Sequence, residues 1–179
     1  MIIGLSGYAQ SGKDTVAELL CLNYGYHRRS FADPMREALM RLNPSIGHEP
    51  LSHLVTDYGW ELAKHNPEVR RLLQVFGTEV GRKMFGENFW VDIALAGLNS
   101  HHRVVLSDVR FPNEAQAIID KGGQVWRVQR EGHKPVNLHE SETAMDNWRF
   151  DDLILNHGSL DDLADEVFML AKQKGFELK

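Results

Sequence analysis

Gly7, four further residues and then Gly12-Lys13 give the spacing of a backbone loop that wraps a phosphate. Gly7 permits the turn where an apolar run ends, and Gly12 lets backbone N–H groups close on anionic oxygens with no Cβ in the way. Lys13 can reach the outer phosphates of a polyphosphate, and the N-terminus of the helix that follows adds its dipole to the same anion. Ser11, Gly12, Lys13, Asp14 and Thr15 are therefore the first candidate phosphate site. Where a Ser or Thr usually follows the lysine, this chain has Asp14, and the hydroxyl comes one place later as Thr15. A carboxylate close to bound phosphates is unfavourable unless a metal or an arginine offsets it, which leaves the role of Asp14 open.

Val104-Val105-Leu106-Ser107-Asp108 puts a second carboxylate at the end of a buried strand. Beside a phosphate loop such an acid holds Mg²⁺, directly or through water, because a metal bridging phosphates takes hard oxygen ligands. Its plainer role is a turn residue or helix cap. Arg110 has the planar, permanently charged guanidinium suited to two-pronged phosphate binding, against the reading of a surface arginine in an acidic segment. Glu114 lies on the next helix. Further on, Arg127, Arg130, His133, Lys134, His139 and Arg149 make a polar stretch, about 128–148, with the composition of a lid that excludes water or of a surface loop. The nine histidines show no metal-ligand spacing, which argues against zinc.

Elements must bring these residues together. Ile2 to Ser6 predicts a buried strand, and Asp14 to Asn23 a helix with Val16, Ala17, Leu19, Leu20 and Cys21 at helical spacing, closed by Gly25. Tyr26 to Phe31 reads as a short strand. Asp33-Pro34 opens a helix ending near Asn43-Pro44, Leu51 to Trp60 is helical, and Asn66-Pro67 opens a further helix. Val91 to Leu98 is a helix, Arg103 to Ser107 a strand, Asn113 to Lys121 a helix and Gln124 to Val128 a strand. Leu153 to Leu155 is the last strand, and Ser159 with Asp162 caps a helix running to Lys174. Short buried strands alternating with helices imply an α/β fold: a mostly parallel central sheet in three layers, α/β/α.

At 179 residues one domain spanning 1–179 is expected. The net charge of −5 argues against coating nucleic acid, and no 18-residue apolar stretch predicts a membrane span. Single Cys21 fits a reducing cytosol, so an unprocessed cytoplasmic protein is expected. A homodimer is compatible with all of this.

Ser11-Gly12-Lys13-Asp14-Thr15, Leu73-Gln74-Val75-Phe76-Gly77-Thr78-Glu79 and Ser107-Asp108-Val109-Arg110-Phe111-Pro112-Asn113-Glu114-Ala115 together resemble phage-type deoxynucleoside monophosphate kinases. His139-Glu140-Ser141-Glu142 and Asn156-His157-Gly158 follow in the same order, so the resemblance spans nearly the whole chain. It implies a three-layer P-loop kinase with ATP and Mg²⁺ as cofactors and a deoxynucleoside monophosphate as substrate. Ser11 to Thr15 and Asn156 would hold the ATP, and Thr15 and Asp108 the metal, with Lys13, Asp14, Asp108 and Arg110 as catalytic residues. An acceptor segment, about 32–98, would contribute Arg70, Arg71, Gln74, Gly77, Thr78 and Trp90, with Asp108, Arg110 and Glu114 completing the pocket. Ala32-Asp33-Pro34-Met35-Arg36 is similar to the adenylate kinase segment whose arginine binds the acceptor phosphate. Some of these residues have plainer readings: one of Arg70 and Arg71 as a solvated helix face, Trp90 as core, and Glu114 as a helix-terminus acid or an orienting partner of Arg110. Ser-Gly-Lys-Asp and Ser-Asp-x-Arg are also similar to animal phosphomevalonate kinases, the nearest rival; a nucleotide-binding regulator without transferase activity is the other.

Overall fold

The computed structural model describes residues 1–133 and 143–179. Ile2–Ser6 is buried along its whole length and forms β1. Helix α1, Lys13–Tyr24, runs between two left-handed glycines, Gly12 and Gly25. Then come β2 His27–Arg29, α2 Asp33–Leu42, the two-residue strands β3 Ser45–Ile46 and β4 Glu49–Pro50, α3 Leu51–Ala63 and α4 Pro67–Gln74. A π-helix, Val75–Phe85, continues α4, and α5 Phe89–Ala94 follows. The chain finishes with β5 Val104–Leu106, α6 Pro112–Asp120, β6 Gln124–Arg130, β7 Asp152–Asn156 and α7 Leu160–Gln173. It folds as two compact units, Met1–Ser30 with Gly97–Lys179, and Phe31–Ala96.

The first unit holds a five-stranded sheet in the order β2-β5-β1-β6-β7. Every pairing in it is parallel. Residues alternate between its faces. Ile3 and Leu5 pack with Val16, Leu20, Leu163 and Val167, so α1 and α7 cover one face. Gly4 points the other way, where a Cβ would come within 2.6 Å of Ile118 Cδ1, so α6 lies close over the opposite face. Three layers result, as expected for an all-parallel sheet that needs cover on both sides. The Ser159 side chain accepts from Asp162 N–H while Asp162 accepts from Ser159, the reciprocal cap that starts α7.

The second unit is built around Leu39, Ile46, Leu51, Ala63 and Val69. Three local features differ from expectation. Residues 45–50 form a hairpin turning at Gly47 (φ +63°), too short for a periodic pattern to announce it. The helix after Asn66-Pro67 widens into eleven residues of π-helix instead of continuing as α. Trp90 packs directly on Gly81 within it: a Cβ there would fall 1.9 Å from Trp90 Nε1. The indole N–H of Trp90 donates to Gly77 O at 3.0 Å. Helix α5 begins earlier and ends sooner than expected, because Leu95 leaves helical geometry and Gly97 turns left-handed at φ +71°.

Candidate active site

The β1–α1 loop is held by close packing rather than by its own sequence alone. A Cβ on Gly7 would lie 2.3 Å from Val128 O, and one on Gly12 would lie 2.8 Å from Asn156 Nδ2. Buried Asn156, at the end of β7, donates its Nδ2 to Ser11 O at 3.0 Å. Ser11 is itself 1% exposed, and its Oγ makes no hydrogen bond among the described residues. A buried hydroxyl without a partner is costly, and an anion oxygen in the loop is an acceptor that would satisfy it. Lys13 Nζ donates to Gly7 O at 2.8 Å and Tyr8 O at 2.7 Å, bridging the loop it belongs to. A cavity of about 370 Å³ opens here, lined by Lys13, Thr15, Arg130, Asn156 and Leu160 among others.

Asp14 is answered by a residue that the sequence did not single out. Its Oδ1 accepts from Arg28 on β2, whose Nε also donates to Ser107 Oγ at 3.1 Å. Two residues further on, Ser30 Oγ donates to Asp108 Oδ2 at 2.5 Å. The peptides flanking Asp108 are fixed as well, Ser107 N–H on Arg29 O and Val109 N–H on Leu5 O. Asp108 thus sits at the end of β5 on an immobilised backbone. Glu114 accepts the backbone N–H groups of Arg110 and Phe111 at 2.7 and 3.1 Å. It is buried and caps the start of α6, the helix-terminus role, while fixing the turn that carries exposed Arg110.

Tyr8, on the other side of the loop, lies under the Arg127 guanidinium, 4.6 Å from ring centroid to Cζ, and donates its OH to Asp146. Burial, and then the hydrogen bond to Asp146, push the Tyr8 phenol above its usual value, so it stays a donor. Arg130 lines the phosphate cavity. Lys134 and His139, with His139-Glu140-Ser141-Glu142, fall in the part of the expected lid, 134–142, that lies outside the described residues.

The remaining predicted residues belong to the second unit. Arg36 lies over Trp60 and approaches Asp33 and Glu61 at 3.9 and 3.7 Å. Arg71 forks onto Glu68 one turn back, which holds the Glu68 carboxyl below the usual range. Arg70, Gln74 and Thr78 are exposed. Gly77 faces Met35 Sδ, which a Cβ would approach to 2.9 Å. Trp90 is half-buried between Phe76 and Phe89. Among the described residues no group of three or more His, Cys, Asp or Glu could hold a metal ion, and no helix is long and apolar enough to cross a membrane.

A phosphate loop between β1 and α1, beside a strand-end acid on β5 in a parallel sheet ordered β2-β5-β1-β6-β7, defines a P-loop phosphotransferase fold. Residues 55–167 match the family model of deoxynucleotide monophosphate kinases, and the chain belongs to that family. It is a kinase, and membership favours neither the metabolite-kinase nor the regulator reading. Over 193 aligned residues it is 30% identical to the mimivirus deoxynucleotide monophosphate kinase of Acanthamoeba polyphaga mimivirus, covering 93% of this chain and 94% of that one. The deoxynucleotide monophosphate kinase of Enterobacteria phage T4 is 31% identical over 55% of this chain and 43% of its own length. Shikimate kinase from Aquifex aeolicus superimposes with a TM-score of 0.47 at 14% identity, covering 98% of both chains. The strand order, not that likeness, carries the fold assignment.

Proposed function

We propose that the protein transfers the γ-phosphoryl group of ATP to a deoxynucleoside monophosphate, yielding ADP and the deoxynucleoside diphosphate. The observation that carries this is the tightly packed phosphate loop with the unpartnered Ser11 hydroxyl inside it, in a chain of this family. Phosphoryl transfer asks little covalent chemistry of side chains; it asks for alignment and charge neutralisation. On this reading the loop amides, Ser11 Oγ and Lys13 hold the donor phosphates, and Lys13 exchanges the carbonyls of Gly7 and Tyr8 for phosphate oxygens. Leu160, exposed on the wall of the same cavity, offers apolar surface for the base.

Thr15 and Asp108 would hold Mg²⁺. One hydroxyl and one carboxylate are hard oxygen ligands, too few for an all-protein cage and suited to a cation that keeps water and phosphate oxygens. When bound, Mg²⁺ supplies charge neutralisation between donor phosphates. Arg110, presented by the Glu114-capped turn, grips the acceptor phosphate. Residues 31–96 supply the acceptor pocket, with Arg70, Gln74, Thr78 and Trp90 toward the nucleotide and Gly77 as structural support. The polar stretch after β6, up to about residue 148, serves as the lid, and the protein works in the cytoplasm.

A coupled assay of ADP release across the deoxy- and ribonucleoside monophosphates, with phosphomevalonate alongside, tests the reading. ADP release that depends on a deoxynucleoside monophosphate is the expected result. Release with phosphomevalonate alone, or with no acceptor, would overturn it.

A further inference from the structure

Asp14 lies in the first turn of α1, directly after Lys13, on the wall of the phosphate cavity. A negative charge there works against a polyphosphate: one unit charge at ~7 Å changes anion affinity about tenfold to fiftyfold at effective dielectrics of ~20–40. The helix dipole and Lys13 favour an anion that Asp14 repels, so the carboxylate needs a fixed counter-charge. Arg28 provides one. Strand β2 pairs with β5 in the register Arg28↔Val105 and Arg29↔Leu106, which brings the Arg28 side chain to the C-terminal end of β5. From there its Nε meets Ser107 Oγ at 3.1 Å and its terminal nitrogen meets Asp14 Oδ1. Ser30, on the same side of the chain, reaches the neighbouring Asp108. Arg28 and Asp14 are 48% and 76% exposed, and an exposed ion pair contributes little to folding stability. Its consequence falls on the ligand.

We propose that Arg28 is a positioning residue of the phosphate site: it cancels the charge that Asp14 brings to the phosphate loop and ties the start of α1 to the Ser107–Asp108 end of β5. The forked guanidinium suits this, because one planar group bonds a carboxylate and a hydroxyl at once, which an ammonium does less well. The proposal rests on the kinase reading only in that ATP binds the loop.

The test is the dissociation constant of ATP, measured calorimetrically in EDTA so that no metal contributes, for the wild type, Arg28→Ala, Asp14→Asn and the double variant. Arg28→Ala should weaken ATP binding about tenfold, Asp14→Asn should tighten it severalfold, and the double variant should return to within about threefold of wild type. Thermal midpoints should move little, since the pair is exposed. Unchanged binding in Arg28→Ala overturns the proposal. So does a double variant as weak as Arg28→Ala, because Arg28 would then act on the nucleotide directly. If Arg28→Ala does not fold, Asp14→Asn decides alone: tighter binding supports the charge-cancelling role, and equal or weaker binding removes it. Wild-type protein that fails to bind ATP at all would instead sink the kinase reading, and that outcome is visible before any variant is compared.

Discussion

Lys13 and Arg110 differ in how the protein holds them, and their variants should fail in different ways. Lys13 bridges two carbonyls of its own loop and takes no part in the core, so Lys13→Ala should keep the fold while losing 100-fold or more of activity, the usual loss for one such contact. Circular dichroism and the coupled assay check both halves; activity within about tenfold of wild type would take the loop lysine out of the reaction. Arg110 is exposed on a turn that buried Glu114 shapes through two backbone bonds. Arg110→Lys preserves the charge and the turn but not the fork. The expected result is a large rise in acceptor KM and a lower kcat with ATP KM nearly unchanged. A loss confined to ATP would move Arg110 to the donor side. Lys13, Thr15 and Asp108 could be singled out from the sequence because a phosphate loop and a strand-end acid are contiguous patterns. Arg28 could not, since its partner Asp14 is brought to it by the β2–β5 pairing. The one available signal was Asp14 itself, whose charge demanded a cation.

At the level of elements, the π-helix Val75–Phe85 depends on residues outside it. Gly77 and Gly81 read in isolation as weak points of an α-helix. In the fold they leave room for Met35 and for the Trp90 indole, whose N–H finds Gly77 O. Sequence periodicity registers the helix but not its widening, nor the tryptophan of the next helix that packs on Gly81. Gly81→Ala should therefore cost about 1–3 kcal/mol by overpacking, read as a lower urea midpoint with an unchanged slope. In a Trp90→Phe background the cost should shrink, since the nearest atom, 1.9 Å from the added Cβ, is gone. Equal costs in both backgrounds would mean that the glycine serves backbone geometry rather than the indole. The strands were easier: Ile2–Ser6, Val104–Leu106 and Leu153 to Leu155 are short, mostly apolar runs between turn residues, and each lies in a strand of the sheet.

Across the whole molecule, the two compact units hold different members of the proposed site. The unit of residues 1–30 and 97–179 contains the phosphate loop, Asn156, Asp108 and Arg110, while residues 31–96 contain Arg36, Arg70, Gln74 and Trp90. No periodicity in the sequence marks the boundaries near residues 30 and 97, because the second unit is an insertion between β2 and β5 that leaves their pairing intact. The division predicts separable ligand effects. At a concentration about 100 times its dissociation constant, a ligand stabilises the conformation that binds it by about 2.7 kcal/mol, so exchange through openings that destroy the site should slow about 100-fold. Hydrogen exchange with ATP alone should then slow chiefly in peptides covering 7–15 and 156–163. A deoxynucleoside monophosphate alone should slow exchange chiefly within 31–96 and at the turn around Arg110. Protection by the monophosphate confined to the phosphate loop would place the acceptor on the donor's side and remove residues 31–96 from substrate recognition. Protection of both regions by either ligand would show instead that the units respond as one body, with binding on one side ordering the other before the second substrate arrives.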